Sequence, residues 1–585
     1  MLILFVVVWP LLLALLLVRE AWTLRTVRWT LPLAALPAFV LALTGDATSR
    51  VSLPWLILGS HFGLGGGGPV FLLLTALLWT LAGWYAPGYL GADPRLRRYA
   101  FFHLLTLTGN IGLVLAEDVP GFYATFALMT FASYGLVIHS GSDAARRAGR
   151  IYLAVAIVGE ALLLAALFLA TDAADSWLLQ DLGAAVATSP HHHTIIALAL
   201  FGFGVKAGLL PVHFWLPLAH PVAPTPASAV LSGAMIKAGL LGWMHVLPLG
   251  HGDFSGWGLT VILLGLLAAF YGVVCGLAQS EPKANLAYSS ISQMGIMTVG
   301  IGAGLCDAQA WPAIATAVTL YALNHALAKG SLFLGTGVST ACRGASLARR
   351  RVVLAGLSLA ALVIAGAPLL GGALTKNALK YPVSSAAEGI VPGLGLLLSL
   401  SAVATTLLLG RFLLLIAADM RSSAPHHVGR SVWLAWFAGL IATAVGAAWA
   451  ISFYQLEVRV STFQLSSIWS ALWPILVGVS LLWLDARRTR GKSEQSQGRF
   501  PAALIIPPGD IVVALERATV ASRRVYGRLP GESFWHLNLV PYVERIAKSR
   551  PVQDFFNQVE IQLKRWETAG MMLLLLLLFF WLALG

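Results

Sequence analysis

The sequence predicts an all-α polytopic membrane protein, and three observations carry that prediction. Of its 585 residues 58% are hydrophobic and 11% charged, whereas soluble chains run at roughly 45–50% apolar and about 25% charged. The apolar residues fall in long, nearly uncharged runs such as 151–170 and 352–367, each close to the ~20 residues that cross a bilayer as helix. Basic residues gather in alternate gaps between the runs, the asymmetry that orients membrane helices.

The first run, 2–18, lacks a basic start and a small-residue cleavage pattern, and further spans follow it, so it reads as a retained helix. Further runs lie near 30–44, 69–85, 99–116, 119–139, 151–170, 194–211, 227–247, 256–278, 285–302, 312–338, 352–380, 390–416, 431–453, 466–484 and 569–584. Hydropathy therefore gives about sixteen helices. With that number, the clusters at Arg95, Arg97 and Arg98, at Arg146, Arg147 and Arg150, at Arg349 to Arg351 and at Arg487 to Arg490 all share one face. Glu117, Asp118, Asp172, Asp181, Asp253, Asp307 and Glu388 mark the other. The positive-inside rule then places both termini outside a bacterial-type cytoplasmic membrane. The excess of 38 Lys+Arg over 25 Asp+Glu marks cytoplasmic loops, so nucleic-acid binding is an unnecessary reading.

Residues 485–568 break the pattern. They are basic at the start, low in complexity around 493–498, and amphipathic over 509–526 and 552–566, with Pro530, Pro541 and Pro551 as interruptions. A cytoplasmic helix lying on the membrane or along neighbouring subunits fits, with a solvated linker as the alternative. The chain thus divides into N-terminal helices (1–98), a first repeat (99–247), a second repeat (256–416), additional helices (417–484), the amphipathic segment (485–568) and a last span (569–585). Cys275, Cys306 and Cys342 are scattered without Cys-x-x-Cys spacing, which disfavours a disulfide framework, a thiolate cluster and a structural zinc site. No cofactor is expected on this chain, and redox chemistry would belong to partners.

A lysine at the bilayer centre costs about 2.5–3.5 kcal/mol on insertion scales, so intramembrane charges mark ion paths. Lys206 precedes Gly208 and Pro211, so its helix should break just beyond it. Lys237 follows one span later. His325 and Lys329 are spaced i, i+4 and share a helix face. Lys376 comes eight residues after Pro368 in another Gly/Pro-interrupted span. Two interrupted spans at matching places suggest inverted repeats around a midplane ion site. Lys283 and Lys380 read as snorkelling residues near helix ends. Glu160 is the clearest acidic residue inside a span and the expected partner of a lysine. His213 and His220 flank the break after Lys206 as accessory titratable groups. A metal site from these and His191 to His193 is disfavoured, because the triplet lies on the other side of the membrane.

Residues 202–226 (GFGVKAGLLPVHFWLPLAHPVAPTP), 231–239 (LSGAMIKAG), 279–295 (QSEPKANLAYSSISQMG) and 324–333 (NHALAKGSLF) resemble the antiporter-like subunits of respiratory complex I, Mrp antiporters and membrane-bound hydrogenases. The form Ala-His-Pro-x-Ala-Pro leans toward the large membrane subunit of hydrogenase and formate hydrogenlyase complexes. The resemblance covers most of residues 100–410. It implies that Lys206 and Lys237 are central proton carriers, that His325 and Lys329 continue the polar axis, and that Lys376 is the exit-side lysine. The family's fifth-span glutamate is missing: Ala127 stands at its place, and Glu160 in the adjacent span is the expected substitute. Tyr321 stands where some members have another histidine.

The resemblance implies a subunit moving H⁺ or Na⁺ within a multi-subunit, redox-driven complex, without a catalytic centre of its own. Its partners would hold the iron–sulfur, flavin or nickel–iron centres. Two alternatives share the same ion path: a subunit of an Mrp-type cation/proton antiporter, and an energy-coupling subunit for a soluble partner, as in inorganic-carbon uptake.

Overall fold

The chain is described here by a computed structural model, covering residues 2–17, 24–45, 49–54, 56, 59–65, 67–91, 93–422, 428–458, 464–489, 506–511 and 513. It is a bundle of helices, as the apolar runs predict, with one small hairpin. Among the described residues, 8 helices are long and apolar enough to cross a membrane, and Leu2–Leu16 and His192–Ala207 are shorter apolar ones. Hydropathy alone therefore does not return the expected sixteen. Helices Pro282–Cys306 and Trp311–Ala341 miss that criterion because they carry the polar residues of the interior, among them Gln293, Asn324, His325 and Lys329, and both are buried over most of their length. The expected last span and most of the amphipathic segment lie outside the described residues.

Helix starts follow local chemistry. The Asp118 carboxylate accepts from the Gly121 N–H to cap Val119–Val137, and the Ser142 hydroxyl accepts from Ala145 N–H to cap Asp143–Ala174. The run at 352–380 divides into two helices, Leu347–Ala365 and Gly371–Ala387. That split and the one after Lys206 are closed alike, by Gly366 at φ 91 and Gly208 at φ 76, a left-handed conformation that favours glycine. The run at 227–247 is also irregular. A helix Thr225–Val230 passes through a π turn, Leu231–Met235, into Ile236–Val246.

Packing sets the two faces. Arg95 donates to the Ser140 carbonyl (2.7 Å) and Arg343 pairs with Asp419 (2.7 Å), so the basic loops meet one another. At the opposite end the strands Arg50–Leu53 and Ser60–Gly63 pair antiparallel. Bridges Phe62–Ala116 and Asp118–Leu178 and the Arg50–Glu117 pair at 3.0 Å tie this hairpin to the acidic loops. Deep in the bundle, helices Ser255–Leu277 and Pro282–Cys306 touch backbone to backbone. A Cβ on Gly265 would lie 2.6 Å from the Gly295 carbonyl oxygen, and one on Gly295 2.5 Å from that of Gly265.

Candidate functional site

The broken helix places Lys206 in the last turn of His192–Ala207, buried. Its ammonium donates to the Tyr152 hydroxyl at 3.1 Å. That hydroxyl donates to the Thr130 carbonyl (2.8 Å) and touches the Ser133 hydroxyl (2.7 Å). Three rings surround the charge, with centroids at 5.4 Å for Tyr152 and 5.9 Å for both Phe126 and Trp215. Each such contact contributes about 0.5–2 kcal/mol. The Trp215 indole N–H donates to the Val205 carbonyl (2.7 Å) and fixes its ring. Ala127 is half-buried and adds no charge, while its neighbour Phe126 supplies one wall of the cage.

Glu160, on the same helix as Tyr152, is buried. By strict geometry its carboxylate oxygens make no hydrogen bond among the described residues, although the Thr130 hydroxyl lies beside it and Lys206 within its electrostatic reach. The direct partner of Lys206 is therefore a phenol, with the carboxylate at longer range.

A second cluster forms around the π turn. Lys237 donates to the Ser232 carbonyl (2.9 Å) and to Nδ1 of His325 (2.7 Å), and Nε2 of His325 has no hydrogen-bond partner among the described residues. One turn along, Lys329 donates to the Leu286 carbonyl (2.6 Å) and lies 5.8 Å from the Phe333 centroid. His220 stacks on the same Phe333 at 4.6 Å, so this accessory histidine belongs to the Lys329 end. Beyond His325, the Tyr321 hydroxyl donates to Gln293 (2.7 Å), whose amide donates to Thr405 (3.0 Å).

Tyr321 also lines a cavity of about 40 Å³ together with Lys376, Lys380, Ser399, Ser401 and Ser470, room for about one water. Lys376 donates to the Ala365 carbonyl (3.1 Å) across the second helix break, and Lys380 donates to Ser399 (2.7 Å). Lys380, expected to snorkel, instead shares this cavity with Lys376.

His213 stands apart from the Lys206 cage. Its Nε2 lies 3.1 Å from the Asp510 carboxylate, which also accepts from the Tyr288 hydroxyl at 2.9 Å. Burial alone would raise the Asp510 pKa, but the hydrogen bond and charge of His213, with the Ile511 N–H and Tyr288, hold it below the ordinary 3.8. His193 accepts from the Trp257 indole. Among the described residues no three His, Cys, Asp or Glu side chains converge as metal ligands. Sequence reasoning missed Tyr152, Trp215, Phe126 and Asp510. It also missed His103, buried between Trp79 (4.7 Å) and Tyr99 (5.6 Å) with both ring nitrogens unbonded.

Comparison with known proteins adds the following. A family model described as "NADH:quinone oxidoreductase/Mrp antiporter, TM" matches residues 116–387. Hydrogenase-4 component B of Escherichia coli K12 is 33% identical over 245 residues, 40% of this chain and 36% of that protein. The Na(+)/H(+) antiporter subunit A1 of Staphylococcus aureus JH9 is 30% identical over 360 residues, 56% of this chain and 44% of that protein. The chain thus spans less than half the length of either curated relative. A structure of the Mrp complex from Dietzia sp. DQ12-45-1b superposes with a TM-score of 0.71 and 23% identity, covering 93% of this chain and 61% of that one, a likeness of fold.

Proposed function

We propose that the chain, whose residues 116–387 match the NADH:quinone oxidoreductase/Mrp antiporter family model, is an antiporter-like membrane subunit that carries protons across the bilayer along its buried lysines. One observation supports this most. Lys206, Lys237, Lys329 and Lys376 each donate to a neutral acceptor, a phenol, an imidazole or a carbonyl. A lysine so held can gain or lose its proton without stranding a bonded carboxylate. The order runs from the Lys206 cage through Lys237, with Lys329 one turn to its side, to His325 and past Tyr321 to Lys376, where the cavity supplies water for release. Glu160 acts as the charge that draws a proton toward Lys206.

In this reading residues 99–247 and 256–416 are the two inverted repeats and both termini lie outside a bacterial cytoplasmic membrane. The driving force comes from redox partners carrying iron–sulfur, flavin or nickel–iron centres. A second reading, subunit of a Na⁺/H⁺ antiporter, draws on the antiporter relative, and its lysine path would be the same.

The test is to solubilise the full chain mildly and identify its companions by mass spectrometry. Proton uptake is then followed in membrane vesicles with a pH-sensitive dye. Redox subunits, and uptake lost in Lys206→Ala and Lys237→Ala, are the expected results. Uptake indifferent to both substitutions would overturn the proton path, and small antiporter subunits alone would favour the second reading.

A further inference from the structure

Residues 506–511 lie more than a hundred residues beyond the family match, yet they pack into the broken helix that carries Lys206. Gln279 donates to the Ile506 carbonyl at 3.0 Å. Gly509, at φ 86, leaves no room for a Cβ against Leu218 of the half-helix Trp215–Val222. The next residue, Asp510, is buried, and burying a carboxylate is costly unless donors meet it. Tyr288 and His213 supply them, and Tyr271 with Cys275 completes the titratable surroundings.

An ionised carboxylate only accepts hydrogen bonds, so Nε2 of His213 must hold the ring proton. Its other nitrogen, Nδ1, is then a bare acceptor, and it is buried without a partner among the described residues. A carboxylate bonded to one ring nitrogen fixes the tautomer and stabilises the imidazolium that forms when the other is protonated. His213 lies in the break itself, between the end of the Lys206 helix at Ala207 and the start of the half-helix at Trp215.

We propose that Asp510 completes the ion path from outside the two repeats, fixing His213 as the proton acceptor that loads the Lys206 site. Nδ1 takes a proton delivered inward through water from the basic face, and the imidazolium is neutralised by Asp510. It then returns that proton, through water, to the free amine of Lys206. The inference rests on the proton-path reading above. Asp510 acts through His213 and is a positioning residue.

The test uses the full chain in membrane vesicles, with proton uptake and the ¹⁵N spectrum of labelled histidine as readouts. The His213 signal is assigned by its absence in His213→Gln. Asp510→Asn is expected to slow uptake at least tenfold and to abolish the Nε2-protonated signature, and Asp510→Glu to restore part of both. If Asp510→Asn does not accumulate in the membrane, Asp510→Ser is judged by the same two criteria. Uptake within twofold of wild type, or slow uptake with the His213 tautomer unchanged, overturns the inference. A wild type no faster than Lys237→Ala, a residue that does not touch Asp510, brings down the proton-path reading and this inference with it.

Discussion

The ammonium of Lys206 rests on the hydroxyl of Tyr152, 3.1 Å away, at the point where a carboxylate partner is expected. Tyr152→Phe keeps the ring over the charge and removes only this acceptor. A hydrogen bond to a charged group is worth about 1.5–3 kcal/mol, so proton uptake should fall about tenfold or more while the fold survives. Vesicle uptake and thermal unfolding, measured together, separate the two effects.

Glu160→Gln tests the longer-range charge. Because the buried carboxylate has no ion pair and no well-formed hydrogen bond among the described residues, the amide should fold at least as well as wild type and yet stop ion movement. Uptake at the wild-type rate would leave the aromatic cage as the whole support of Lys206.

His325→Ala leaves Lys237 with the Ser232 carbonyl alone. The expected result is a loss of uptake of about tenfold or more, partly retained in His325→Gln, whose amide oxygen can still accept. Equal rates in His325→Ala and wild type would remove the histidine from the path.

The docking of residues 506–511 should depend on acid in one direction. The pKa of Asp510 is depressed in the folded chain, so its contribution is complete above the ordinary 3.8 and is lost as the pH falls through the lower folded value. Hydrogen exchange over 506–511, corrected for its intrinsic pH dependence, should show steady protection at neutral and mildly acidic pH and loss only in strong acid.

Much of this was legible in the sequence for a simple reason: a lysine in an apolar run is conspicuous. Lys206, Lys237, Lys329 and Lys376 stand out against their neighbours, and Gly208 and Gly366 announce the breaks beside them. The cage was not legible, because Tyr152, Phe126 and Trp215 are ordinary membrane aromatics until three helices bring them together. Asp510 was hidden by distance, 297 residues from His213 along the chain, in a segment whose composition suggested only a surface helix. The helix count was obscured where polar interior residues dilute the hydropathy of Pro282–Cys306 and Trp311–Ala341.

The π turn at Leu231–Met235 has a consequence for aim. Such a turn holds one residue more than regular α-helix would, and each residue advances the azimuth by about 100°. Lys237 points at His325 because the wide turn absorbs that surplus residue and leaves the phase of everything after it unchanged. Deleting Ala234 removes that surplus residue, so the turn should relax to regular helix with the ammonium still aimed at His325 and proton uptake retained.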